Sequence, residues 1–301
     1  MENNKLELLD TSLLQAKEFQ LVQHWLTVFK AEIGWHYYLD LIWQVREIKK
    51  LNLPPHATII DAGAGSGMMQ FLLASLGYTV LSIDFNERPI PPRYARIFKI
   101  QSKSNRVFTN DYIKHLNTVH AKQKKKNLPG RILNILKVLN PSYVFEYIKT
   151  KFVPYGSITF ITADFSNLDF IPDHSIDAIV STSAIEHNES METLSLSIDE
   201  FKRVLKKGAS MFITTSAAEE KTWWHEPSKG YCYSESELKK LFDFPTVSSN
   251  YTSYKQIFSH IKGSRFLQDK LPSFYFNNPN CGMPNGVWDP TYIPVGIIKQ
   301  V

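Results

Sequence analysis

Cysteine is nearly absent from this chain, which has two in 301 residues, Cys232 and Cys281, with no metal-ligand spacing around either. That excludes a disulfide-stapled secreted scaffold and a zinc ribbon, and makes a reducing cytoplasm the expected setting. No run of about 18 apolar residues occurs, so no transmembrane segment is expected. The opening MENNKLELLD lacks the basic and apolar regions of an export signal. Internal repeats and low-complexity tracts are missing too, which removes solenoids and disordered arrays. What is there is a 43% hydrophobic chain long enough to bury the core of one large domain, or of one domain with an elaborate insertion.

The richest stretch runs from Thr58 to Phe85, TIIDAGAGSGMMQFLLASLGYTVLSIDF. An apolar strand, a glycine turn, a helix and a second strand ending in an acid make the first half of a nucleotide-binding α/β unit. Asp61 closes the first strand, and Gly63, Gly65 and Gly67 let the backbone turn and approach a ligand. Asp84 follows about 20 residues beyond the turn, where a carboxylate accepts ribose hydroxyls. A dinucleotide fingerprint needs its third glycine at position 68, which is Met68, and no P-loop lysine follows. The spacing is G-x-G-x-G.

This segment resembles motif I and its following acid in class I S-adenosylmethionine (SAM) dependent methyltransferases. The resemblance covers residues 50 to 245. It implies an α/β fold with a Rossmann-like, seven-stranded, mostly parallel sheet and flanking helices, and SAM as cofactor with S-adenosylhomocysteine as product. It places Asp61, Gly63, Ala64, Gly65 and Gly67 at the methionine end of the cofactor and Asp84, with Phe85 beside it, at the ribose. In ITFITADF the acid Asp164 would accept the adenine amino group while Phe165 covers the ring. In SIDAIVSTSAIEH, Asp177 precedes a buried strand and Ser181 to His187 form the loop at its carboxyl end, which adds Ser181 and Glu186 as cofactor contacts. That loop lacks the Asn/Asp-Pro-Pro-aromatic signature of many amino methyltransferases. It looks instead like type 11-like enzymes acting on small molecules, lipids and sugars, where Glu-His often occurs.

Apolar residues at helical spacing from Leu13 to Leu51 predict an N-terminal helical extension over 1–50, with the methyltransferase domain over 51–301. The intervening Gly34-Trp-His-Tyr-Tyr38 reads either as a flap whose Trp35 and Tyr38 meet substrate or as two core anchors. Ile198 to Leu205 reads as a helix ended by Gly208, and Ser210 to Thr215 as the fifth strand. Ser234-Glu-Ser-Glu237 is a capping box, and Thr246 to Tyr254 and Val295 to Ile298 supply the last two strands.

The departure from a minimal domain is a long basic insertion after the second strand, residues 87–157. It holds fifteen Lys or Arg against three acids, a net of +12 in a chain of +5, leaving −7 for the rest. Lys122, Lys124, Lys125 and Lys126 read as a solvated loop tip, as a basic lid selecting an anionic acceptor, or as a nucleic-acid or membrane-surface contact. Arg131 to Leu139 and Tyr143 to Phe152 fit an interfacial helix or one packed on the core, with Pro141 breaking or bending the segment.

The expected reaction is in-line methyl transfer, most simply O-methylation of a small molecule, sugar, glycan or lipid-linked acceptor. Rate would come from alignment and proton removal. His187, on the loop after the fourth strand, and His225, in TWWHEP after the fifth, are the general-base candidates. Trp223, Trp224, Tyr231 and Tyr233 are candidate substrate contacts beside them. No metal is expected. An RNA-modifying enzyme using the basic insertion and a catalytically silent SAM-binding protein stand as alternatives.

Overall fold

The computed structural model describes residues 4–88, 92–104, 140–188, 190–276 and 282–301. Its strands are β1 (Lys5–Leu8), β2 (Thr58–Ala62), β3 (Thr79–Asp84), β4 (Lys99–Ser104), β5 (Ser157–Thr162), β6 (Ile176–Thr182), β7 (Leu205–Ala217), β8 (Trp223–His225), β9 (Gly230–Tyr233), β10 (Ser248–Ser249) and β11 (Ile293–Gln300). The helices are α1 (Lys17–Phe29), α2 (Tyr37–Lys50), α3 (Met69–Ser75), α4 (Pro92–Ala95), α5 (Pro141–Lys149), α6 (Met191–Val204), α7 (Glu235–Leu241), α8 (Tyr254–Lys262) and α9 (Arg265–Asp269). Among these, no helix is long and apolar enough to cross a membrane.

One twisted sheet runs in the order β10-β1-β11-β7-β6-β2-β3-β5-β4, with β8 and β9 branching from the end of β7. β2, β3, β5, β6 and β7 are parallel, and β11 enters antiparallel beside β7. The chain leaves β2 on one side toward β3 and β5, then returns to β6 on the other side. The switch point between β2 and β6 therefore opens a crevice at their carboxyl ends, where open α/β sheets bind ligands.

The mostly parallel α/β sheet agrees with the sequence reading, but its strand count is eleven, not seven. The N-terminal segment is not wholly helical: Leu6 and Leu8 alternate inward on β1, which pairs antiparallel with β11 and parallel with β10. Only Ser248–Ser249 of the expected strand Thr246 to Tyr254 is extended, because β1 fills the place beside β11. Part of the insertion is sheet, since β4 extends the edge beyond β5. Pro141 starts α5 rather than bending it, at the first helical position after the cap Asn140, whose Oδ1 accepts from the Ser142 amide at 3.1 Å. The helix expected from Ile198 begins at Met191, and Gly208 lies within β7 instead of ending it. The Lys122–Lys126 run, Arg131 to Leu139 and Cys281 lie outside the described residues.

α2 is the helix that positions the site. It is buried on nearly every side because it crosses the sheet beside β6, β7 and β11. Trp43 lies flat on β11, and a Cβ on Gly296 would fall 2.4 Å from its ring. The indole nitrogen donates to Glu7 of β1 at 2.6 Å, which ties the N-terminal strand to the same helix. Gly296→Ala is accordingly expected to destabilise the protein by about 1–3 kcal/mol through overpacking. An unchanged melting temperature would contradict this seating of α2.

Candidate functional site: three joined cavities at the switch point

The loop from Gly63 to Met68 leaves β2 against the end of β3. The Gly63 and Ala64 amides donate to the Ile83 carbonyl at 2.9 and 3.1 Å, and the Gly65 amide to Asp84 Oδ2 at 2.7 Å. Gly63 and Gly65 hold φ of +69° and +49°, and a Cβ on Gly63 would lie 2.4 Å from Ala184. Gly67 has no positive φ; its constraint is the Ala64 carbonyl, 3.0 Å from where a Cβ would sit.

Arg88, which the motif reading passed over, braces this turn from below. Its guanidinium donates to the Gly65 carbonyl at 3.0 Å and to Ser82 Oγ and O at 2.8 and 2.5 Å, and it lies 4.6 Å from the Phe160 ring centroid. The sequence signal was present, since a lone arginine four residues after the ribose acid is within reach of the turn.

Three cavities meet at Tyr37 and Ser183, which line all of them. The first, about 290 Å³, is framed by Asp61, Gly63, Ala64, Gly65 and Gly67. The second, about 540 Å³, holds Asp84, Phe85, Asp164 and Phe165 along one wall. The third, about 280 Å³, is lined by Trp35, His36, Glu186, His187, His225 and Tyr292 among others. The structure thus separates the expected glycine-turn residues and the two acids into a glycine cavity and an acid cavity, and puts Glu186, also expected at the cofactor, in the histidine cavity that adjoins both.

Asp61 is fully buried, and neither carboxylate oxygen has a hydrogen-bond partner. Burial pushes its pKa up to about 7; the Arg88 charge opposes the rise, Asp84 adds to it, and the Gln70 backbone amide opposes it weakly. An orphaned carboxylate at the wall of a glycine-framed cavity fits a ligand bearing a cationic N–H donor, as the α-ammonium of SAM does. Asp84, by contrast, already accepts from the Gly65 and Asn86 amides at 2.7 and 2.8 Å, leaving its remaining lone pairs for hydroxyls.

The histidine cavity owes its chemistry to α2. His36, Asp40 and Gln44 recur at four-residue spacing and so share one face. His36 Nδ1 lies 2.8 Å from Asp40 Oδ2, and the Ser183 hydroxyl donates to the same oxygen at 3.0 Å. One turn on, Gln44 Nε2 donates to the carbonyls of Ser181 and Phe212 at 2.9 and 3.1 Å, and Thr182 Oγ1 donates to Gln44 Oε1 at 2.7 Å. With Nδ1–H given to the carboxylate, His36 presents Nε2 as its basic nitrogen. Sequence reading missed this pair, although His and Asp four apart at the start of an aromatic-rich helix was a visible signal.

The two predicted histidines do reach this cavity. His187 is exposed and borders the acid cavity as well; its Nδ1 donates to the Lys229 carbonyl at 2.8 Å, which again frees Nε2. His225 is buried, 2.6 Å from Ser228 Oγ, and burial, with the nearby His36, holds its pKa below the usual imidazole value. Glu186 lines the cavity, accepts from Thr215 at 3.0 Å, and is driven by burial toward its neutral form.

Several expectations are corrected. Ser181 is buried behind the site, and it is Ser183 that lines the cavities. Tyr38 is a core residue with its ring edge-on to Phe266 at 5.3 Å, while its neighbour Tyr37 faces the site. Trp223, Trp224, Tyr231 and Tyr233 line none of the three cavities: β8 and β9 turn both tryptophans to solvent, with the Trp224 indole held by Glu226 at 2.7 Å. Trp35 does line the histidine cavity, packed against Tyr292 at 5.4 Å. No cluster of metal-ligating side chains occurs among the described residues.

Residues 126–213 match the methyltransferase domain family, a stretch running through β5, β6 and most of β7 but not the glycine turn. That match spans under a third of the chain, and over it the chain is similar to the methyltransferase domain family. The orphaned Asp61 carboxylate and the glycine cavity are suited to SAM, the cofactor that this likeness implies. Among solved structures, the [4+2]-cyclase SpnF is similar over 99% of this chain and 100% of its own, at 11% identity and a TM-score of 0.50. The Burkholderia thailandensis 1,6-didemethyltoxoflavin N1-methyltransferase, holding its substrate and S-adenosylhomocysteine, is 13% identical over 86% of this chain and 77% of its own, with a TM-score of 0.41. A protein from an antibiotic biosynthesis pathway of Anabaena variabilis is 19% identical over 62% of this chain and 50% of its own, with a TM-score of 0.32. No curated protein matches the chain. At these identities the likeness concerns the fold, and a cyclase among the neighbours underlines that the fold does not set the reaction.

The Asp61 carboxyl gives a pH signature. Its folded pKa stands above the unfolded value of 3.8, so between about pH 4 and 7 the folded state keeps a proton that the unfolded chain releases, and stability falls as pH rises through that window. Relative to the parent, ligand-free Asp61→Asn should gain about 2–4 kcal/mol of stability between pH 4 and 8. Denaturation curves that stay parallel across that range would contradict the burial of an ionisable Asp61.

Proposed function

We propose that the chain transfers the methyl group of SAM to a hydroxyl of a small, partly apolar acceptor, such as a metabolite, sugar or glycan unit, held in the histidine cavity. The observation that carries this reading is the His36–Asp40 pair opening into a cavity that shares Tyr37 and Ser183 with the two cofactor-side cavities. When bound, SAM supplies an activated methyl group, so the protein's work is alignment, water exclusion and proton removal.

In this reading Asp61, Gly63, Ala64, Gly65 and Gly67 hold the methionine end, Asp84 the ribose, and Asp164 with Phe165 the adenine. Phe85 lies at the mouth of the same cavity. His36 Nε2 takes the proton from the acceptor hydroxyl, and the buried Asp40 carboxylate fixes the tautomer and favours the imidazolium that results. Ser183 donates to the same Asp40 oxygen that faces His36, which restricts rotation of the carboxylate. His225, kept neutral by burial, and His187 are hydrogen-bonding groups for the acceptor, while Trp35 and Tyr292 offer ring faces.

The test is incubation with methyl-labelled SAM and a panel of hydroxylated metabolites and sugars, with RNA as a competing acceptor. Transfer to a small-molecule oxygen is expected, and His36→Gln should lower its turnover by about 10²–10⁴-fold while SAM affinity stays within about threefold. Asp40→Asn should lower turnover in the same direction. Transfer to RNA alone, SAM binding without transfer to any acceptor, or full turnover in His36→Gln would overturn the reading.

A further inference from the structure

Helix α5 is amphipathic the wrong way round for a helix that belongs only to a folded core. Its inward side is polar: Asn140 at its cap donates to the Thr27 carbonyl at 2.6 Å, the Tyr143 hydroxyl donates to the Arg93 carbonyl at 2.9 Å, and Glu146 meets His24 at 2.8 Å and the Tyr155 hydroxyl. Tyr143 and Glu146 are both about 2% exposed, so the helix is seated on α1 by these contacts. The outward side is apolar. Val144, Phe145, Tyr147 and Ile148 face solvent, and the chain continues past the helix with Phe152 and Val153, Phe145 being 63% and Phe152 80% exposed.

Isolated exposed apolar side chains are ordinary, but a contiguous ridge is not. These six make up a large share of the fourteen strongly exposed large hydrophobics among the described residues, and they fall within ten consecutive positions. The charge around them has one sign. Lys149 and Lys151 interleave with the ridge, Lys149 bonding the Tyr155 hydroxyl at 2.9 Å and Lys151 lying 4.8 Å from the Tyr147 ring centroid. From Asn140 to Ser157 the only acid is Glu146, which is buried and lies 3.6 Å from the Lys149 ammonium, leaving Lys151 without an acid partner within this stretch. The longer stretch 87–157, to which the ridge belongs, carries +12 in a chain of +5.

We infer that the ridge formed by Val144, Phe145, Tyr147, Ile148, Phe152 and Val153 docks the protein on the surface of an anionic phospholipid bilayer. Aromatic and aliphatic side chains enter the boundary between headgroups and acyl chains, and the flanking lysines meet lipid phosphates and carboxylates. The charge complementarity selects this occupant over a second copy of the chain, because two such ridges face to face would bring their lysines together. The inference is independent of the methyl-transfer reading.

The test is co-sedimentation of the full chain with large vesicles of phosphatidylcholine, alone or with about 30 mol% phosphatidylserine. The protein should partition at least about tenfold more strongly onto the anionic vesicles, and less as salt is raised. A Phe145→Ser, Ile148→Ser, Phe152→Ser variant should lose at least about tenfold of that partition with an unchanged melting temperature, since none of the three side chains is buried. Lys149→Ser with Lys151→Ser should lose about fivefold or more. The proposal is overturned if the parent fails to partition onto anionic vesicles, or if the apolar variant partitions as the parent does. It is equally overturned if light scattering shows a dimer that the apolar variant dissolves while vesicles capture neither, which assigns the ridge to a second copy.

Discussion

The arrangement hangs on one buried polar face, the side of α2 that carries His36, Asp40 and Gln44. Polar groups removed from water are costly unless paired, and here Gln44 pairs with Ser181, Thr182 and Phe212 at the carboxyl end of the central strands, while Asp40 Oδ2 pairs with Ser183 and Asp40 Oδ1 stays without a partner. Those bonds fix both the rotation of α2 and its position along the sheet, because sliding it by one residue would leave an amide and a carboxylate unpaired at once. The seating has functional consequences. Tyr37 is held at the meeting point of three cavities, and His36 is held against a carboxylate that leaves only one ring nitrogen free. The N-terminal strand is drawn into the same arrangement, since Glu7 of β1 accepts from Trp43 of that helix and pairs with Arg46 at 3.1 Å.

The glycine turn and the acids that follow it were legible in the sequence because each has a local cause. A turn hydrogen-bonded to the neighbouring strand needs positive φ at Gly63 and Gly65, and strand ends place Asp84 and Asp164 at the carboxyl edge whatever the rest of the chain does. His187 was legible for the same reason, on the loop that follows β6, whereas His225 lies at the end of β8, a strand the sequence reading did not expect. What escaped has a tertiary cause. Tyr37 and Tyr38 are adjacent and chemically alike, and only the rotation of α2 decides which ring meets the cavities and which meets Phe266. Trp223 and Trp224 stand near the ligand edge in sequence, yet the β8–β9 pairing faces them outward. β1 was missed because four residues of alternating pattern are too few to be distinguished from the start of a helix until a partner strand is known.

The two halves of the charge distribution also have separate structural meanings. The site buries carboxyls, Asp40, Asp61 and Glu186 all being nearly inaccessible, and of the three Asp61 stands at the wall of the glycine cavity with both oxygens unpaired. The basic excess is concentrated in a different stretch, 87–157, whose described parts form a sheet edge and a helix with an apolar outer face. One domain thus combines an interior suited to a sulfonium and ammonium with an exterior suited to anions, and neither feature requires the other.

On the proposed function, the glycine and acid cavities are the two ends of one SAM site whose methyl-bearing middle lies at Tyr37 and Ser183. Calorimetric titration of the purified chain with S-adenosylhomocysteine, beside Gly65→Val and with NAD as control, tests it most directly. Saturable micromolar binding to the parent is expected, with at least about tenfold weaker binding to the variant, in which a branched side chain occupies the approach path at a left-handed position, and no binding of NAD. Equal affinity in parent and variant, or binding of NAD in preference to S-adenosylhomocysteine, would contradict it.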